Sequence, residues 1–204
     1  YVYIGDQGSS KENITQVVEM MRENKKKERL QDLLKSGPPP PIMVFCNGKR
    51  GCDILAKSLD KMGYPTATIH SGKDQATREQ AIDGFKSGEF EILVATDIAG
   101  RGIDIQGVEH VINYDMPKDI ESYTHRIGRT GRAGRAGEAV TFFTEGDVEQ
   151  LRAIANVMKA SGCEVPEWML KLKPLKKAKR RRLEAQPRAR KAIRKRRDEL
   201  EAGA

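Results

Sequence analysis

Short apolar runs alternating with helix-length amphipathic segments are what most restrict the folds open to this chain. "ITQVVEMM" (Ile14–Met21) is β-prone, and "NKKKERLQDLLKS" has helical spacing at Leu30, Leu33 and Leu34. The "GPPPP" break at Gly37–Pro41 cannot continue that helix. Beyond it lies "IMVFC" (Ile42–Cys46), an apolar run of the kind buried in parallel strands. The alternation then repeats: a helical segment Lys49–Met62 ending at Gly63, strand-like "TATIH" (Thr66–His70), and helical "QATREQAIDGFKSG" with Ala81, Ile82 and Phe85 on one side. "EILVAT" (Glu91–Thr96), "VEHVINY" (Val108–Tyr114) and "EAVTFF" (Glu138–Phe143) read as further strands. "IESYTHRI" reads as a short helix, and a last helix is expected from about Asp147 to Ser161.

Such alternation predicts an α/β domain with a central, mostly parallel sheet flanked by helices. In sheets of this type the functional loops lie at the carboxyl ends of the strands. The polar clusters of this chain fall after Cys46, His70, Thr96 and Tyr114 and before Glu138.

The charge is unevenly distributed. Of 37 Lys and Arg and 29 Asp and Glu, residues Lys171–Ala204 hold 15 bases and 4 acids, leaving 22 bases against 25 acids elsewhere. The basicity therefore belongs to the tail, so overall charge is no argument that the domain itself binds nucleic acid. The tail has too few apolar residues to bury, and disorder or a transient helix is expected there. The expected organisation is an extension over 1–13, the α/β domain over 14–170 and the basic tail over 171–204. Trp168 is expected to pack against the domain. No apolar run is long enough to span a membrane, and the start lacks the pattern of a secretory signal. Cys46, Cys52 and Cys163 lack metal-ligand spacing, and only three histidines are present. Reduced thiols and no metal site are expected.

The stretch "HRIGRTGRAGRAG" (His125–Gly137) sets Arg126, Arg129, Arg132 and Arg135 three apart, with a Gly two places after each. A collagen-like triplet needs more repeats and more proline. An arginine-glycine arm, a simple connecting turn and a phosphate-reading turn remain; in the last, glycines permit tight turning while Arg forks aim at phosphate oxygens. The surroundings favour the third, because the run lies between an amphipathic helix and a strand. A second loop, "ATDIAGRGID" (Ala95–Asp104), has the character of a ligand loop, with Thr96, Gly100, Gly102 and Asp104.

"VATDIAGRGIDI" and "YTHRIGRTGRAGRAG" resemble motifs V and VI of the DEAD-box RNA helicases. "MVFCN" resembles motif IV, and "HSGKDQATREQAIDGFKSG" resembles the stretch carrying the Q-x-x-R element, here Gln75 and Arg78. The match runs from about Ile14 to Ser161, and His125 favours the DEAD-box over the DEAH-type branch. The wording "GCDILAKSLDKMGY" is similar to the splicing members that act at the 5′ splice site.

The resemblance implies the second of two RecA-like lobes that close over ATP and single-stranded RNA. This chain contains no G-x-x-x-x-G-K-[ST] loop and no D-E-A-D. The phosphate cradle and the Mg²⁺ carboxylates are thus expected from a first lobe, and this chain alone is expected not to hydrolyse ATP. By the same resemblance, Arg129 and Arg132 are arginine fingers to the γ-phosphate. Asp104 contacts the ATP ribose, with Gly102 as its small neighbour. Thr96, Gly72 and Arg78 hold the RNA backbone, joined by Asn47 with Lys49 or Arg50, and His125 and Arg126 wire their loop to RNA and to the other lobe. Such contacts read phosphate and 2′-OH, so weak sequence specificity is expected. Two positions depart from the family pattern: Gly48 stands where Thr is usual, and Ser71 where Gly is usual. The basic clusters Lys176–Arg182 and Arg194–Arg197 are expected to serve nuclear import or RNA gripping, or simply to keep the chain soluble. A nuclear location and spliceosomal partners complete the reading; the alternative is a non-catalytic RNA-binding scaffold that retains the lobe.

Overall fold

The computed structural model describes residues 2–6, 13–97, 105–130, 136–160 and 165. The chain divides into Tyr1–Leu172 and Lys173–Ala204, and the described residues all belong to the first of these units. Gly102, Asp104, Arg132, Trp168 and the basic tail lie outside the described residues.

Seven strands form one sheet: β1 (Val2–Asp6), β2 (Asn13–Met20), β3 (Ile42–Phe45), β4 (Thr66–Ile69), β5 (Ile92–Ala95), β6 (His110–Asn113) and β7 (Ala136–Phe143). Their order is β1-β2-β7-β6-β3-β5-β4. All pairings are parallel except β1 with β2. Part of the stretch read as an extension is therefore an antiparallel edge strand. Five α-helices are described: α1 (Lys26–Ser36), α2 (Lys49–Lys61), α3 (Gln75–Ser87), α4 (Ile120–Ile127) and α5 (Val148–Ala160).

Side chains alternate across a pleated sheet, and here both faces are covered. Met43, Phe45, Leu93, Ala95, Val111 and Ala139 face one way, with Ala81 and Phe85 of α3, Tyr123 and Ile127 of α4, and Leu151 and Ile154 of α5. Ile42, Val44, Ile92, Val94, Ile112 and Val140 face the other, with Leu30 and Leu33 of α1 and Leu55 and Leu59 of α2. This two-sided burial is why the central strands read as unbroken apolar runs. Burying such side chains contributes about 1.5–3 kcal/mol each.

Local signals set the helix ends. Asp74 caps α3 by accepting from the Thr77 N–H at 2.7 Å, and Gly88, at φ 85°, ends it in the left-handed region. Asp119 caps α4 through the Ser122 N–H at 2.8 Å. Thr144 and Asp147 form a reciprocal capping box before α5. No side chain caps α2, whose N-cap is Gly48. Its first-turn amides and the positive end of its dipole are left beside Lys49 and Arg50.

Candidate nucleotide and nucleic-acid site

From β3 the chain runs outward to the edge strand β4, returns to β5, and crosses to β6 on the other side of β3. The loops after β3, β5 and β6 thus meet where the winding changes direction, the place where open α/β sheets bind ligands. Asn47 follows β3, Thr96 and Asp97 follow β5, and Asp115 follows β6.

Arg126, from α4, joins these three loops. It is only 1% exposed. Its Nε donates to Asp97 Oδ1 at 2.6 Å and its Nη2 to Asp97 Oδ2 at 2.8 Å. Nη2 also donates to Asn47 Oδ1 at 2.8 Å, and Nη1 donates to the Asp115 carbonyl at 2.8 Å and to Asn113 Oδ1 at 3.5 Å. The guanidinium lies 5.4 Å from the Phe45 ring centroid. All five N–H donors of the fork are engaged inside the lobe. Arg126 is an internal tie between motifs IV, V and VI, with no donor left for a phosphate.

Asp115 extends the network. Its Oδ2 accepts from the Asn47 backbone N–H at 3.0 Å and its Oδ1 from Lys26 Nζ at 3.1 Å. Lys26 is buried and also pairs with Glu23 at 2.8 Å. Burial alone would pull its ammonium pKa down, but the Glu23 and Asp115 carboxylates outweigh that and raise it. Asn47 completes its own bonding by donating from Nδ2 to the Met116 carbonyl at 3.0 Å. Next to it the Cys46 thiol, hydrogen-bonded to Cys52 and buried, is pushed far above the ordinary thiol range. Such thiols are inert.

Lys49 and Arg50 are exposed on the first turn of α2, and Gly72 is exposed beyond β4. Arg78 is half-buried on the first turn of α3, and Thr96 is 7% exposed, its N–H donating to the Ile69 carbonyl at 3.2 Å. His125 is exposed in the last turn of α4. Arg129 follows that helix half-buried, and its carbonyl accepts from the Val108 N–H at 3.1 Å. The next residue, Thr130, is fully buried and donates its hydroxyl to the Val108 carbonyl. Val108 is therefore no part of β6. It bridges Thr130 instead and fixes the backbone on which Arg129 is carried.

Asp97, Asp115, Lys26 and Thr130 were not singled out as site residues from sequence. Each is a common polar residue near an element end, where a cap or turn role is the ordinary expectation. Only the partners identify them. Among the described residues, no group of three or more His, Cys, Asp or Glu could hold a metal ion. No helix among them is long and apolar enough to cross a membrane.

Residues 25–134 match the family described as "Helicase conserved C-terminal domain". The chain is 56% identical over 146 residues to "Probable ATP-dependent RNA helicase DDX23" of Homo sapiens, a match covering 72% of this chain and 18% of that protein. It is similar to the crystal structure of the RNA-helicase Prp28 from Chaetomium thermophilum bound to ADP, with a TM-score of 0.69 and 44% identity. That match covers 79% of this chain and 40% of the other. It is also similar to the yeast DEAD-box splicing factor Prp28, with a TM-score of 0.69 and 29% identity, over 91% of this chain and 40% of that one. The chain thus spans about a fifth of the human relative and two fifths of the two solved proteins.

Proposed function

The chain belongs to the helicase conserved C-terminal domain family, on its DEAD-box branch, and from that premise we propose that it is the second RecA-like lobe of an RNA-dependent ATPase that separates short RNA duplexes. The observation that carries this reading is the Arg126 tie. It binds into one unit the loop of Asn47, the loop of Thr96 and Asp97, and the helix that leads to Arg129. Groups assigned to RNA and groups assigned to nucleotide therefore move together, which a machine coupling the two ligands requires.

In this reading Arg129 and Arg132 reach the γ-phosphate across a cleft formed with a first lobe, while Asp104 and Gly102 meet the ribose. Support for a phosphate-facing role of Arg129 comes from the hydrogen bonds of Val108 and Thr130 that hold its backbone, since preorganised charge is what stabilises a transferring phosphoryl group. An arginine so placed is worth about 10³–10⁵ in rate. ATP supplies the phosphoryl group whose presence favours closure; Mg²⁺ would be held by the first lobe. Lys49, Arg50, Gly72, Arg78 and Thr96 form the RNA-backbone face, and His125 connects that face to the other lobe. Closure over both ligands bends one RNA strand, and reopening releases it. The relatives named for splicing support a nuclear role among spliceosomal proteins. The domain takes in the edge strand Val2–Asp6 as well as residues 14–170, followed by a basic tail over 171–204 that adds phosphate contacts or directs import.

RNA-stimulated ATP hydrolysis by the chain extended upstream of Tyr1 tests this, with and without Arg129→Ala. Hydrolysis that requires RNA and collapses in the variant, with ATP still bound, upholds it. An extended chain without a P-loop, or a variant as fast as its parent, leaves an RNA-binding scaffold in its place.

A further inference from the structure

His70 directly follows β4 and is only 4% exposed, yet both of its ring nitrogens are engaged. Nδ1 lies 3.0 Å from the Gly72 backbone nitrogen, and Nε2 lies 3.0 Å from Asp53 Oδ1 on α2. A backbone N–H can only donate, so Nδ1 must present its lone pair, and the ring proton is on Nε2, directed at Asp53. One neutral tautomer satisfies both bonds. The contact is close: a Cβ on Gly72 would lie 3.0 and 3.1 Å from ring atoms of His70. Lys73 continues the turn, its N–H donating to the His70 carbonyl at 3.1 Å and its ammonium 3.5 Å from Asp53. Asp74, the α3 cap, comes next, so the path of this turn sets where the helix carrying Arg78 begins. Burial tends to raise the Asp53 pKa, but its pairing with His70 and the Lys73 ammonium outweigh this and lower it.

We propose that His70 is a positioning residue for RNA binding: its Nε2–H tautomer, oriented by Asp53, sets the turn that presents Gly72 and leads to Arg78, and a proton on Nδ1 releases that turn. This rests on the reading of Gly72 and Arg78 as RNA contacts. Protonation would set an Nδ1–H against the Gly72 N–H. The charged groups facing the ring and its turn are Asp53, Lys73 and Lys49 on α2, whose Cδ lies 3.8 Å from the Gly72 Cβ position. The sign separates this device from general electrostatics. Added positive charge on acidification tightens phosphate binding, whereas release of the turn weakens it.

The test uses the chain itself, ¹⁵N NMR, and binding of a labelled single-stranded oligouridylate between about pH 8 and about pH 5.5, across imidazole titration. His70→Asn keeps an acceptor at the Nδ1 position and cannot take up a proton; His70→Phe keeps a ring with no acceptor. The expected results are an Nε2–H tautomer at high pH and a Gly72 amide that shifts as His70 protonates. Affinity at low pH should fall roughly three- to tenfold below that of His70→Asn, and His70→Phe should bind weakly throughout. An Nδ1–H tautomer, a folded His70→Phe that binds like its parent, or identical pH profiles for parent and His70→Asn would overturn the proposal. An oligonucleotide that binds no version, with the Gly72 amide still following His70, sinks the RNA reading but upholds the positioning of the turn.

Discussion

Arg126 and Asp97, contributed by α4 and the loop after β5, meet as a two-pronged pair at 2.6 and 2.8 Å, with the Arg 1% exposed. Removing one member of such a buried pair leaves an uncompensated charge, a loss that exceeds the net worth of the pair. Arg126→Ala should therefore cost about 3 kcal/mol of folding stability. Urea unfolding of both single variants and of the double variant with Asp97→Ala measures the coupling. Additive losses would show that the pair is not coupled.

His110 supplies a pH dependence. It is fully buried in β6, and among the described residues neither ring nitrogen has a hydrogen-bond partner. Burial lowers its pKa from 6.5 to about 4. The unfolded chain then binds the extra proton first, so this contribution to stability is intact above the unfolded value and is lost as pH falls from about 6.5 towards 4. About 2 kcal/mol should disappear between pH 7.5 and pH 5. In His110→Leu that component should be missing from the difference between denaturation curves at the two pH values. A Leu variant as acid-sensitive as its parent would exclude His110 as the source.

Gly84 sets two effects against each other. Within α3, Ala should gain about 1 kcal/mol in helix propensity over Gly. A Cβ there would lie 2.5 Å from two ring carbons of Phe90, however, and overpacking of this kind costs about 1–3 kcal/mol. The clash should win, leaving Gly84→Ala less stable by about 1 kcal/mol. Thermal unfolding decides, and a raised Tm would mean that Phe90 moves aside freely.

Thr130→Val preserves shape but removes the hydroxyl bonded to the Val108 carbonyl. The buried carbonyl then lacks this donor, at a cost of about 1–2 kcal/mol. In the longer protein, RNA-stimulated hydrolysis should fall at temperatures where the variant is fully folded, because the Arg129 backbone is less firmly held. Hydrolysis unchanged under those conditions would separate Thr130 from Arg129.

The α/β class and five of the parallel strands from Ile42 onward are legible in the order of residues alone, because strands covered on both faces need continuous apolar runs. Helix α4 was legible to the residue, since its apolar face and capping Asp119 are both local. The motifs were legible because Gly and Arg at fixed spacing are rare by chance. How those motifs work together depends on contacts between distant segments. Arg126 looked like one more arginine in a phosphate-seeking run, and nothing in its spacing distinguishes a buried tie from a surface contact. Its partners Asn47, Asp97 and Asp115 come from three loops that the strand order brings together. The same holds for Val108, which begins the strand-like run "VEHVINY" yet bridges Thr130. It holds too for Val2–Asp6, whose edge strand depends on pairing with β2. Local pattern encodes which element forms; which polar groups share a site is encoded in the winding of the sheet, and no window along the chain contains that.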